Sequence, residues 1–332
     1  MPEEQAADLD VITLGMMMAE MSPPHLGLRI GESDTLSLHI AGAANIFATA
    51  LTRLGGRVGL ISKIGGDDLG AWLLRQACAE GIDTAAVTVV PEQLTPLLLA
   101  SVDHDGNKTF AFYRFAGKCN PLVTFRASDV TDAYLRRGRI FDLPEASLRD
   151  ATLQPEAMAL AQRARDLGLI VCFSPNFRLA SWAGGAEEAR EVLRQGLALG
   201  DLAIMNEDEA MLLAGRETLA AATEWLVAHG PPLVVITRGK LPALVIEAGA
   251  ASEAPSFDVE VIYDVGAGDV FHAGFLAAWQ PGGSAVRAAS FAAAAAALKI
   301  SRPPESAHMP TREETLAFLM ERGIAMEGFG QV

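Results

Sequence analysis

Near the carboxyl end of the chain, Val265-Gly266-Ala267-Gly268-Asp269-Val270-Phe271-His272-Ala273-Gly274-Phe275 joins a strand-like run to a helix. Gly266 and Gly268 accept positive φ at little steric cost, so consecutive N–H groups can turn into one concavity that holds an anion. A helix beginning near Asp269 adds unsatisfied amides and the positive end of its dipole. A carboxylate beside such a nest is either a general base attached to a phosphate site or an ordinary helix cap. The local sequence leaves these two readings level.

Other segments carry chemistry of the same kind. Ala41-Gly42-Ala43-Ala44-Asn45 opens a long helix with small residues that let a ligand approach and an amide that can donate and accept; alone, it reads somewhat better as a small-residue turn capped by Asn45. Asn206-Glu207-Asp208-Glu209 has the spacing of a capping box, with Asn206 at the N-cap and Glu209 at N3. The same side chains can also hold the water shell of Mg²⁺, which keeps several waters when bound. Thr237-Arg238-Gly239-Lys240 lies just past a strand, where a nucleotide can rest. Arg114 and Arg178 each follow a strand in polar surroundings, and guanidinium groups suit carboxylate or phosphate. A single arginine, taken alone, more commonly serves a solvated face.

The elements that must position these residues alternate. Val11-Ile12-Thr13-Leu14, Val58 to Ile61, Leu169 to Phe173, Leu202 to Met205 and Leu233 to Ile236 are short apolar runs typical of strands buried on both faces. Ile46, Phe47, Ala50, Leu51 and Leu54 recur at helical spacing, as do apolar positions in Glu156 to Leu167 and Ala186 to Leu199. The pattern predicts an α/β fold, a doubly wound and mostly parallel sheet flanked by helices. Residues 16–40 and 95–115 break the rhythm with extended segments and turn signals, including a hairpin turning at Asp103-His104-Asp105-Gly106-Asn107. They predict a small β lid; residues 1–15, 41–94 and 116–332 form the core.

Composition narrows the function. A chain of 332 residues accommodates one large α/β domain with an insertion. The net charge of −15 argues against a nucleic-acid partner, and the Ala-rich run from Phe291 to Ile300 is too short and too weakly apolar to span a membrane. The start, Met1 to Asp10, is acidic with no basic segment, so a cytoplasmic address is expected. Cys78, Cys119 and Cys172 show no metal-site spacing, and the six histidines are scattered singly, so no zinc site is expected.

Taken together and in order, Gly42 to Gly55, Gly65 to Gly70, Asn206 to Glu209, Thr237 to Gly239 and Gly266 to Phe275 closely resemble the ribokinase-like (PfkB) family of sugar kinases, over essentially the whole chain. The resemblance implies an ATP-dependent kinase that requires Mg²⁺. It implies that Asp269 is the catalytic base and that the amides of Gly266, Ala267 and Gly268 form the anion hole. Gly42 and Asn45 match sugar-binding positions, Thr237, Gly239 and Asn206 nucleotide-side positions, and Asn206 with Glu209 the motif linked to Mg²⁺ through water. The lid matches an element that often makes a homodimer contact. Within the family the chain looks most like the branch of 2-keto-3-deoxygluconate kinases and fructokinases, where Arg114 and Arg178 match residues that hold a substrate carboxylate. The expected substrate is a sugar or a keto-deoxy sugar acid; the alternatives are a neutral hexose or a sugar-binding relative without catalysis. Asp264 stands five residues before Asp269, not the family's six, and Tyr263 takes the sixth place. This weakens the case for a monovalent cation such as K⁺.

Overall fold

The computed structural model describes residues 7–114, 118–179, 182–303 and 309–324; the first six residues, and residues 115–117 where the sequence places the end of the lid, lie outside them. In chain order the strands are β1 (Leu9–Leu14), β2 (Met18–Ser22), β3 (Ser37–Ala41), β4 (Val58–Gly65), β5 (Val87–Val90), β6 (Leu97–Val102), β7 (Lys108–Tyr113), β8 (Gly138–Pro144), β9 (Ile170–Ser174), β10 (Leu202–Asn206), β11 (Leu233–Arg238), β12 (Leu241–Glu247) and β13 (Ala250–Ala254). The α-helices are α1 (Ala43–Arg53), α2 (Asp68–Ala79), α3 (Asp132–Leu135), α4 (Gln154–Asp166), α5 (Gly185–Leu199), α6 (Glu207–Ala214), α7 (Leu219–His229), α8 (Ala267–Ala278), α9 (Ala285–Ile300) and α10 (Arg312–Glu321).

Nine strands pair in the order β13-β12-β11-β10-β9-β8-β1-β4-β5. All neighbours from β11 to β5 are parallel, and only β12 runs against its neighbours β11 and β13. The chain begins at β1, builds outward through β4 and β5, and returns to the other side of β1 with β8. This reversal opens a crevice at the carboxyl ends of the strands, where sheets of this kind hold ligands. The doubly wound expectation holds. The apolar pattern does not single out β8, because Arg139 and Asp142 interrupt it, and it forms because both its neighbours offer parallel ladders.

Alternate residues of each strand enter different cores. Val11, Ile140 and Val235 join Phe47 of α1, Phe275 of α8 and Phe291 of α9 on one face. Ile12, Phe141 and Val234 join Leu160 of α4, Leu193 of α5 and Leu226 of α7 on the other. Phe275 and Phe291 are fully buried; burying such a side chain stabilises by about 1.5–3 kcal/mol. The alanines of α9 let it lie close on α8, so that a Cβ at Gly274 would stand 2.9 Å from Ala292 Cα.

A second sheet has the order β3-β2-β6-β7. Its strands β2 and β3 leave the carboxyl end of β1, and its hairpin β6–β7 follows β5, so both excursions depart from one side of the main sheet. Met18, Ala41, Leu98 and Ala100 form its own small core. Asp67 fastens it to the main domain: this carboxylate caps α2 through Gly70 N–H (2.8 Å) and accepts from Thr95 N–H and Oγ1–H (both 2.7 Å). A Cβ at Gly65 would lie 2.4 Å from Thr95 N, so the Gly65 to Gly70 segment is a close-packed joint. No helix among the described residues is long and apolar enough to cross a membrane.

Candidate active site

Strands β9, β10 and β11 end side by side, and residues at their carboxyl ends, with the start of α8, line an open pocket. Ser174, Asn176, Asn206, Glu209, Thr237, Gly268, Asp269 and His272 supply its polar lining, and Ile204, Met205 and Phe271 its apolar part.

Gly266 caps α8 in the left-handed region at φ 84°. The Ala267 N–H turns back to the Asp264 carbonyl at 3.2 Å, so the amide nest expected from Gly266, Ala267 and Gly268 has one member engaged. The N–H groups of Gly268 and Asp269 have no backbone acceptor among the described residues. A Cβ at Gly268 would meet nothing within 4 Å, and the space it would fill belongs to the pocket. This first turn therefore presents unpaired donors to an open volume, as anion binding requires.

Asp269 projects from the same turn and accepts from Asn176 Nδ2 at 3.1 Å. Asn176 adopts φ 37°, a conformation that asparagine tolerates better than most side chains. Part of Asp269 faces the pocket, yet the surrounding protein pushes its carboxyl up to about 7; the Arg178 charge opposes this and Glu209 adds to it. Arg178 itself is exposed.

Glu209 is buried and held on both oxygens, by Asn206 N–H at 2.8 Å and Phe177 N–H at 2.7 Å, while Asn206 Oδ1 accepts from Glu209 N–H at 2.9 Å. The capping box is formed, and it also ties the loop after β9 to the start of α6. Burial raises the Glu209 carboxyl against the pull of those amides. Thr237 Oγ1 donates to the Met205 carbonyl at 3.5 Å, and Gly239 turns the chain at φ 59°.

The remaining candidates are absent from the lining of this pocket. Gly42 caps α1 at φ 92°, and a Cβ there would lie 2.3 Å from the Met16 carbonyl oxygen. Asn45 is fully buried, and neither polar atom of its side-chain amide has a hydrogen-bond partner among the described residues. Leaving such groups unpaired costs about 1–3 kcal/mol each, which a polar ligand would offset. Arg114 follows β7 with its guanidinium 5.1 Å from the Phe112 ring centre. Asp264 is ion-paired with Lys108 of the lid, so its carboxylate is already engaged. Asn176 and His272 are pocket residues that spacing alone does not reveal; the signals available were an asparagine fit for positive φ and a histidine three positions beyond Asp269.

A sheet of this topology, a second small β-sheet beside it and a glycine turn carrying a partly buried acid fit a phosphoryl-transfer enzyme of the α/β class. Residues 8–312 match the family described as pfkB family carbohydrate kinase, and the chain belongs to that family. It is 28% identical over 313 residues to a 2-dehydro-3-deoxygluconokinase of Bacillus subtilis, covering 94% of this chain and 95% of that protein. It is also 27% identical to fructokinase-2 of Zea mays over 79% of this chain and 77% of that one. Among solved structures, an E. coli protein assigned as a ribokinase II, in complex with ATP and Mg²⁺, superposes with a TM-score of 0.84 at 25% identity, covering 94% of this chain and 99% of that one. A fructokinase of Xylella fastidiosa with bound ATP gives 0.82 at 26% identity and the same coverage. The chain is a sugar kinase that uses ATP as co-substrate.

Proposed function

We propose that the chain phosphorylates a keto-deoxy sugar acid resembling 2-keto-3-deoxygluconate. The observation that carries this reading is Asp269, an acid held near neutrality beside open helix amides. In the reaction it takes the proton of a substrate hydroxyl as that oxygen bonds to the γ-phosphorus of ATP, while the bond to the bridging oxygen breaks and ADP leaves. The amides of Gly268 and Asp269 stabilise charge on the transferring group. Gly42 and Asn45 hold the sugar, and Thr237, Gly239 and Asn206 lie on the nucleotide side. Asn206 and Glu209 fit Mg²⁺ held through its own waters, since the Glu209 oxygens are already engaged by amides; the bound ion would offset phosphate charge.

Support for an acidic substrate comes from the Arg178 charge bearing on Asp269 and from the Bacillus subtilis relative that spans nearly the whole chain. Arg178 and Arg114 would then hold the carboxylate. A second reading, a neutral hexose as substrate, is favoured by Arg114, which rests on Phe112 outside the pocket lining. The exposed aromatic residues Phe110, Phe112 and Tyr113 on β7 further support a homodimer formed through the lid.

Release of ADP from Mg-ATP over a panel of sugars and sugar acids tests the substrate. The expected outcome is the highest kcat/KM for a keto-deoxy sugar acid. A preference for a ketohexose would replace this reading with the second, and sugar binding without any turnover would leave a binding protein in its place.

A further inference from the structure

The register of the main sheet places three polar side chains in one row where the apolar pattern calls for aliphatic ones. Thr13 of β1 faces Asp142 of β8, and Asp142 faces Cys172 of β9. His272 of α8 closes over the row: its Nε2 lies 3.3 Å from Asp142 Oδ1 and 3.4 Å from Cys172 Sγ. Cys172, Asp142 and His272 are 0%, 2% and 7% exposed, so bulk water does not complete their bonding.

As a hydrogen-bonded set the cluster is incomplete. One imidazole nitrogen carries either a single proton or a single lone pair and cannot satisfy both neighbours. Asp142 Oδ1 has no hydrogen-bond partner among the described residues. One cation at the centre would satisfy all three groups. The ligand atoms of Asp142, Cys172 and His272 all lie within 4.8 Å of one another. Tetrahedral coordination at bond lengths of about 2.0–2.3 Å needs ligand atoms roughly 3.3–3.8 Å apart, and the two separations from His272 Nε2 already fall there.

The outer support of a metal site is also present. Thr13 Oγ1 donates to Asp142 Oδ2 at 2.8 Å and leaves Oδ1 facing the cluster, and the Phe47 ring packs on the His272 imidazole with centres 4.7 Å apart. Contacts of this kind orient ligands and tune affinity. His272 borders the pocket and so marks an entry path.

We propose that Asp142, Cys172 and His272 bind one divalent transition-metal ion of the zinc class, beneath the phosphoryl-transfer pocket and apart from Asn206 and Glu209. A carboxylate, an imidazole and a thiolate leave the fourth position to water. The Cys172 thiol releases its proton to solvent on ligation. The ion would lie one helical turn along α8 from Asp269, whose charge already bears on Asp142.

The test uses full-length protein with Cys78→Ser and Cys119→Ser, so that Cys172 is the sole thiol. After chelator treatment, Co²⁺ is expected to bind at one equivalent with a thiolate-to-cobalt charge-transfer band that Zn²⁺ abolishes. Thr13→Val should weaken Zn²⁺ binding by about 10- to 100-fold. X-ray absorption at the zinc edge should show one sulfur neighbour. Absence of the cobalt band, or a zinc shell of nitrogen and oxygen alone, overturns the site.

Discussion

Asp269 meets two conditions for a base that acts on a sugar hydroxyl: it lies in the first turn of a helix whose amides are open, and burial brings its carboxyl to about 7. A base must be deprotonated to act, so kcat/KM should rise with pH through a limb near 7 in the free enzyme. Removing the Arg178 charge removes an influence that lowers the Asp269 carboxyl. Arg178→Ala should therefore move the limb to higher pH, and raise KM for a sugar acid by roughly 10- to 100-fold, as the loss of a charged hydrogen bond would. An unmoved limb would separate Arg178 from the site. Asp269→Asn should lower kcat by about 10²- to 10⁴-fold with Mg-ATP binding retained, measured by coupled assay and calorimetry; near-normal turnover would take the base role from it. Motif spacing is enough to place Gly268, Asp269, Asn206, Glu209 and Thr237 on the rim of one pocket, because each follows a strand or opens a helix at the same end of the sheet. The partnership of Asn176 with Asp269 could not be read, since it joins residues 93 positions apart through the docking of α8 on β9.

At the level of elements, the joint between the two sheets depends on one carboxylate. Asp67 caps α2 and takes both hydrogen-bond donors of Thr95, and these bonds outweigh burial and keep its carboxyl below the usual range. Asp67→Ala should destabilise the protein by about 1–3 kcal/mol, combining a lost cap with unpaired Thr95 groups, as measured by urea unfolding. An unchanged midpoint would show that the joint is held elsewhere. Two extended runs flanking the turn residues Asp103 to Asn107 made the β6–β7 hairpin legible, although β6 is largely buried and β7 exposed along its length. Strands β8, β12 and β13 were not legible for opposite reasons: β8 carries an acid into a buried row, whereas β13 is an exposed edge with little apolar pattern.

Over the whole molecule, burial pushes the carboxyls of Glu20, Asp142 and Asp269 up to about 7 and lowers His272 to about 3. Between about pH 4 and 7 the native acids hold protons that the unfolded chain has lost, so stability falls as pH rises. His272 opposes this below about 6.5, where only the unfolded chain binds its proton, but three groups outnumber one. Metal-free protein should thus melt at a higher temperature at pH 5.5 than at pH 7.5, and scanning calorimetry showing the reverse would mean that these acids ionise in the fold. Light scattering should find a dimer that Phe112→Lys dissociates; a wild-type monomer would exclude assembly through β7. The Lys108–Asp264 pair bears on how such a molecule works. It links the hairpin to the turn that caps α8, yet both side chains are partly exposed, so it is worth about 1 kcal/mol or less and weakens with salt. A contact that weak loosens as ionic strength rises, so salt sets how firmly the hairpin is held to the turn that opens α8.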